Sequence, residues 1–541
     1  MTITTMQITL IFIISCIVGI GSVLDEFQTH RPLIACTIIG LVLGDLKTGI
    51  IIGGTLELIA LGWINIGAAL APDAALASII STIIIIAGKQ DISFGIAIAI
   101  PIAASGQILT ILARTLTVSF QNQADKFAQE GNIKGIDFCH ISALLIQALR
   151  VSIPAIIVTI FIGSDVVQNM LSSIPEFIDK GLQIGSRIVV VVGYATVINI
   201  IESKYLIRFL FVGFVAELIT GLTPISMTII GIILMIFYVK LTPELKELSN
   251  LQKIKTYIKN SEFEESKNIN NKSYKKLTKS DLTQMFIRSN FLQGSWNFEK
   301  LQALGYCHAI IPAIKRFYTG EERKKALKRH LEFFNTQPFM TGPILGVTAS
   351  LEEQKANGIQ ISDNTIRDVK INLMKSLSDV GDKIFWGTLR PVITAISATF
   401  AVAGNILGPI IFFITLNIIR IWIKWWGIGY GYKKGIQIID EISNIRLQNL
   451  IKSFSILGLF VMGVLINRRV NINIPIAASM IDTLTSLSTL QTILNRLLSG
   501  LLSLLCTFIC IKLLKKKVSA IWIIFGIFIL GIIGYGLGLL A

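Results

Sequence analysis

Hydrophobic positions in this chain run in blocks. The apolar segments cover residues 6–23, 33–62, 74–88, 92–113, 141–163, 184–201 and 205–239, and later 392–422, 453–466, 497–513 and 519–540. Blocks near 20 residues predict membrane-spanning helices. The expected fold is therefore all-α and polytopic, with two helical modules and broken or re-entrant helices. Several blocks are too short for a simple span, and residues 281–385 are amphipathic rather than apolar.

Three polar interruptions break the pattern. Gly53–Ser78, GGTLELIALGWINIGAALAPDAALAS, sets Glu57, Asn65 and Asp73 among Gly53, Gly54, Gly62, Gly67 and Pro72. A backbone group left unpaired in lipid costs several kcal/mol, so irregular chain at membrane depth is buried in protein or lines a cavity. Broken apolar segments with polar side chains point to a transporter's binding site. The second interruption is LDEFQTHRP, Leu24–Pro32, in which six of nine residues are polar or charged. Composition alone also suits an ordinary solvated loop there, and Pro32 suits the first turn of a following helix. The third is LSDVGDKIFWGTLRP, Leu377–Pro391.

Residues 240–280 hold ten lysines and five glutamates. Such a stretch reads as a solvated linker, and its lysine excess assigns it to the cytoplasmic side. The expected divisions are a membrane module at 1–245, a linker at 246–275 and a second membrane module at 276–541. Ser280 is the expected N-cap of the first helix after the linker. WIKWWGIGYGYKK, Trp422–Lys434, reads as an aromatic interfacial belt, and LLKKKVSAIW as a short basic turn between two final helices.

Composition agrees with a bilayer as the surroundings. The 541 residues are 52% hydrophobic and 15% charged, against about 25% charged in soluble domains, and the mean hydropathy is +0.69. The net charge of +16 suits cytoplasmic loops facing anionic lipid, and no base-reading or base-stacking module indicates nucleic acid. No CxxC pair occurs among the six cysteines, so no metal site or redox centre is expected. No basic residue precedes the apolar run at 8–20, which reads as a retained first helix rather than a signal.

LDEFQTHRPLIACTIIGLVLGDLKTGIIIGGTLELIALGWINIGAALAPDAALASIIST resembles the IIC membrane component of the mannose-family sugar phosphotransferase system, a likeness running through residue 245. RSNFLQGSWNFEKLQALGYCHAIIPAI, RHLEFFNTQPFMTGPILGVTASLEEQKANG and VGDKIFWGTLRP resemble its IID component from about residue 276 onward. The chain thus looks like a fusion of two components that are usually separate. It departs from the family pattern GVGDP at Asp379–Lys383, which reads DVGDK.

The resemblance implies group translocation in a bacterial cytoplasmic (inner) membrane. A mannose- or glucose-type hexose crosses IIC–IID and is phosphorylated by a phosphohistidine on IIB, which is recharged through IIA. This chain has neither, so a IIB or IIAB protein acts in trans, beside the bilayer and a homotrimer of IIC–IID units. No cofactor is implied and no catalytic residue, and the family's phosphohistidines belong to IIA and IIB, which leaves His30, His140, His308 and His330 without a phosphoryl role. Carboxylates and carboxamides satisfy sugar hydroxyls in pairs, and an indole can cover the apolar sugar face. The expected sugar contacts are Asp25, Glu26, Gln28, Asn65, Asp73, Asn297, Gln337, Asp379 and Asp382, foremost Asp25, Gln28, Asn65 and Asp73. Either Asp25 or Asp73 suits acceptance of the 6-hydroxyl proton. Glu57, Arg31, Arg390, Trp296 and Trp386 are expected in structural or gating roles, and the capping of a broken helix is the alternative role for Glu57 and Asp73. An ion-coupled carrier with the same loops is the alternative.

Overall fold

The computed structural model describes residues 3–65, 70–162, 175–201, 205–241, 274–438, 445–470, 472 and 488–540. The expected linker lies outside the described residues up to position 273, as do positions 66–69 of the glycine-rich stretch. Every described element is helical; isolated bridges join Leu301 to Asn297 and Phe334.

The first half contains α1 (Thr5–Leu24), α2 (Pro32–Leu43), α3 (Leu46–Ile59), α4 (Ala74–Ala87), α5 (Ile92–Glu130), α6 (Ile133–Phe161), α7 (Glu176–Ile188), α8 (Val190–Ile201), α9 (Arg208–Thr220) and α10 (Pro224–Leu241). The second contains α11 (Lys279–Ser289), α12 (Ala303–Phe317), α13 (Gly320–His330), α14 (Thr341–Ala356), α15 (Asp363–Gly381), a π-helical stretch at Asp382–Leu389, α16 (Arg390–Ala401), α17 (Leu407–Lys434), α18 (Ile445–Arg469), α19 (Ser488–Lys515) and α20 (Ala520–Gly536). Among the described residues, eight helical stretches are long and apolar enough to cross a bilayer.

The apolar block at 33–62 is two helices. Leu43 ends α2, Gly44 turns the chain at φ 88°, and Asp45 accepts the Thr48 amide to start α3. With 12 and 14 residues, these helices reach only about 18–21 Å at 1.5 Å per residue, short of a ~30 Å hydrocarbon core. They form a hairpin so close that a Cβ on Gly40 would lie 2.8 Å from the Gly49 Cα. Pro32 opens α2, as the sequence predicts.

Elsewhere the elements differ from the apolar blocks. The block at 92–113 continues as one 39-residue helix to Glu130. Its polar second half is amphipathic and buries Ala124 and Ala128 against α12–α15 of the second half. The block at 205–239 breaks at Gly221, φ 59°, and 392–422 breaks after Ala401 at a turn containing Gly404, φ 77°. Thr278, not Ser280, caps α11: its hydroxyl accepts the Asp281 amide and the Asp281 carboxylate accepts the Thr278 amide. That reciprocal box satisfies two otherwise orphaned donors.

The two halves share their cores. Leu56, Ile59 and Tyr194 of the first pack in one cluster with Ile456 and Phe460 of the second. At the α9–α18 crossing a Cβ on Gly213 would meet the Phe460 carbonyl oxygen at 2.0 Å, so the backbones themselves touch.

Candidate functional site

The site is built from helix ends. α1 finishes at Leu24, and Asp25 follows in left-handed backbone, φ 52°. Gln28 is also left-handed, φ 62°, and its Nε2 donates to the Asp25 carbonyl at 2.8 Å, closing the turn. His30 Nε2 lies 3.2 Å from the Asp25 carboxylate, and Arg390 Nη1 lies 3.9 Å from it. Glu26 points the other way, onto α17, where Lys424 Nζ meets it at 2.5 Å and Arg420 Nη1 at 3.7 Å. Arg31 donates through Nε and Nη2 to Glu57, and through Nη2 to the Ala60 carbonyl. The second Glu57 oxygen accepts the Leu33 amide at 3.2 Å. That pair ties the 25–31 turn to the broken end of α3.

Beyond the 3₁₀ turn Ala60–Gly62, Asn65 accepts the Ala71 amide at 3.1 Å. Asp73 caps α4. Its Oδ1 accepts the Ala75 and Leu76 amides, and its Oδ2 pairs with Arg150. Arg150 also donates to Thr110 and Ser22.

On the other half, Asn297 holds a turn of its own, accepting the Glu299 and Lys300 amides. Gln337 uses Oε1 to cap the short helix Pro338–Met340, while its buried Nε2 has no acceptor. Asp379 is 65% exposed at its side chain and pairs with Lys383 at 2.8 Å. The Arg390 guanidinium sits 4.9 Å over the Trp386 ring, and that of Arg114 sits 4.2 Å over Trp296.

These helix ends line a narrow, partly open polar pocket, with about 20 Å³ of free space. Of the expected residues it gathers Asp25, Asn65, Trp296, Gln337, Asp382 and Trp386. Glu26, Gln28, Asp73, Asn297 and Asp379 are not in its wall; each is held by the partners just described. Arg114, Gln293, Gln302, Asn335, Thr336 and Ser378 also line it and were not anticipated. Gln302 and Thr336 bond each other reciprocally, which stiffens that wall. Gln293 Nε2 donates to the Leu24 carbonyl at 3.1 Å and stitches it to the end of α1.

Comparison with known proteins now decides the family. Residues 5–237 match the description "PTS system sorbose-specific iic component", and residues 276–540 match "PTS system mannose/fructose/sorbose family IID component". The first half is 58% identical over 244 residues to the mannose-specific EIIC component of Escherichia coli strain K12, covering 45% of this chain and 92% of that protein. The second is 53% identical over 271 residues to the mannose-specific EIID component of the same strain, covering 49% and 96%. This chain belongs to the mannose-family sugar phosphotransferase permeases, as a IIC–IID fusion. The sorbose-specific EIIC component of Klebsiella pneumoniae is 57% identical over 244 residues, covering 45% and 92%.

The pocket therefore lies between IIC and IID, with Asp25, Asn65 and Arg114 from one and the remaining wall from the other. Asp379 and Lys383, where the sequence reads DVGDK, pair with each other one helical turn apart. Away from the bilayer segments, IID holds a second charged cluster. Glu352 accepts two 2.7 Å bonds from Arg329, one of 2.8 Å from His330 and one of 2.8 Å from Tyr318. Burial disfavours the Glu352 charge, but His330 and Arg329 outweigh it and hold the carboxyl well below the usual range. Burial pushes His330 down to about 4 despite the neighbouring carboxylate. The four histidines do not gather in one place: His30 faces Asp25, the tilted rings of His140 and His308 meet across the IIC–IID seam with centroids 4.6 Å apart, and His330 serves Glu352.

Proposed function

We propose that this fusion is the translocating part of a phosphoenolpyruvate-dependent mannose-family phosphotransferase. It binds a mannose- or glucose-type hexose in the IIC–IID pocket and presents it for phosphorylation by a phosphorylated IIB protein in trans. The pocket carries the reading: carboxyls of Asp25 and Asp382, amides of Asn65, Asn335 and Gln337, and indoles of Trp296 and Trp386 converge on one volume. Acids and amides answer hydroxyls, and indoles cover the C–H face of a pyranose. Both guanidinium and carboxyl groups line it, Arg114 as well as Asp25 and Asp382, which suits an uncharged sugar.

Phosphoryl transfer asks little covalent chemistry of the acceptor's holder, so the permease acts by positioning the 6-hydroxyl. Asp25, in the pocket wall, suits acceptance of its proton; both Asp73 oxygens are already engaged. The linker is assigned to the cytoplasmic face of the inner membrane, with IIC–IID units grouped as trimers. Phosphoenolpyruvate-dependent phosphorylation of a hexose panel by membranes containing this chain, supplemented with IIA and IIB, tests the reading. Sugar phosphate should appear only with IIB present. Uptake of unmodified sugar without IIB would establish an ion-coupled carrier instead.

A further inference from the structure

One pocket residue has no place in the sugar site as the sequence predicts it. Arg114 is only 3% exposed, and the Trp296 ring covers one face of its guanidinium at 4.2 Å. Its Nε and Nη1 are buried and donate to no acceptor, and it forms no ion pair among the described residues. Three other buried cations nearby are engaged. Arg31 holds Glu57, Arg150 holds Asp73 and Lys424 holds Glu26. A guanidinium has five donors and no acceptor, and an unpaired buried charge is strongly disfavoured. Gln337, on the IID side of the same pocket, is in a matching state, with Nε2 buried and without an acceptor. The Asp25 carboxylate of the wall is thus accompanied by unused donors on both components.

A carboxylate can only accept from a sugar hydroxyl, and a guanidinium can only donate to one. The flat edge of a guanidinium offers two parallel N–H groups, which matches two oxygens on adjacent carbons. Resting on the hexose reading above, we propose that Arg114 is a specificity-determining sugar-binding residue. Its Nε–Nη2 edge donates to the oxygens of two adjacent hydroxyls of an uncharged hexose, while Trp296 holds the guanidinium plane.

The test is calorimetric binding of mannose, glucose and their single-position deoxy analogues to the full chain in lipid nanodiscs. In the wild type, removal of either of two adjacent hydroxyls should weaken binding at least 10-fold. Arg114→Lys keeps the charge but not the fork. It should weaken the parent sugar by roughly 10- to 100-fold, and it should abolish the deoxy penalty at those same two positions while the other penalties persist. If Arg114 only props Trp296, affinity falls by one factor for every analogue and the deoxy pattern is unchanged, which overturns the proposal. Tighter binding of glucuronate or hexose 6-phosphate than of hexose also overturns it, in favour of an acidic ligand. If the wild type binds no hexose at all, the reading of the pocket itself fails, a result distinct from either. Arg114→Ala and Arg114→Gln are run beside the lysine variant, with monodispersity and thermal midpoint as folding controls.

Discussion

Asp25 and Asp73 look alike along the chain, each standing at an interruption beside a short or broken helix. Their surroundings differ because helices have direction. Asp73 precedes the first turn of α4, where free amides point outward, and it is taken up by two of them and by Arg150. Asp25 follows the last turn of α1, where only carbonyls are free, so no helix amide caps its carboxylate. It stands in the pocket with His30 at 3.2 Å and Arg390 at 3.9 Å. A carboxylate at a helix start is absorbed into structure; one at a helix end stays available and needs cationic company there.

The contrast is easiest to break with matched substitutions. Asp73→Asn leaves an amide-capable cap but strips Arg150 of its charge partner, and should cost about 3–5 kcal/mol of stability. A thermal midpoint close to wild type would show that the pair is dispensable. Asp25→Asn should instead leave stability within about 1 kcal/mol of wild type and lower sugar phosphorylation by roughly 100-fold, equivalent to about 2.7 kcal/mol. If the two variants exchange phenotypes, helix direction is the wrong explanation.

Acid sharpens the comparison at a third carboxylate. His330 has a folded pKa of about 4, below its ordinary value near 6.5. The unfolded chain therefore takes up its proton first, and stability falls as pH drops from about 6.5 towards 4. Glu352 is held low in the folded state, so its contribution is present above the unfolded value near 4.3 and is lost below it. Each group contributes a slope of at most about 1.4 kcal/mol per pH unit. Thermal midpoints measured from pH 7.5 to 4.5 should fall for the wild type and stay flatter for His330→Gln above pH 5. The smallest effect belongs to Lys383→Ala: an exposed pair one turn apart is worth about 0.3–0.5 kcal/mol, so midpoint and phosphorylation should both stay near wild type.

Apolar blocks mark where helices lie, because lipid leaves a polar backbone no alternative. Their ends were less legible. The polar half of α5 has no membrane signature, and it packs instead against IID. Glu26 and Asp25 are adjacent in sequence, and nothing local says which faces the cavity. The answer lies about 400 residues away, at Lys424, which reads as an interfacial lysine within WIKWW yet is fully buried. Arg114 escaped notice because it ends an apolar block, where an arginine ordinarily marks the membrane edge. Thr110, Ile111, Thr117 and Val118 lie one turn away on either side of it, and none of them is acidic. That lack of a local partner is the sequence signal for a buried, unused cation.

The tryptophans sort by position, with a practical result. Of the seven in the chain, Trp422, Trp425, Trp426 and Trp522 are 49–72% exposed on the outside of the helical bundle, while Trp296 and Trp386 line the pocket. Brominated lipid should quench the emission of the outer four and spare the inner pair. What light remains comes from the two pocket indoles and from buried Trp63. On the proposed sugar site, that residual emission should change when hexose is added, a native optical reporter readable without any label.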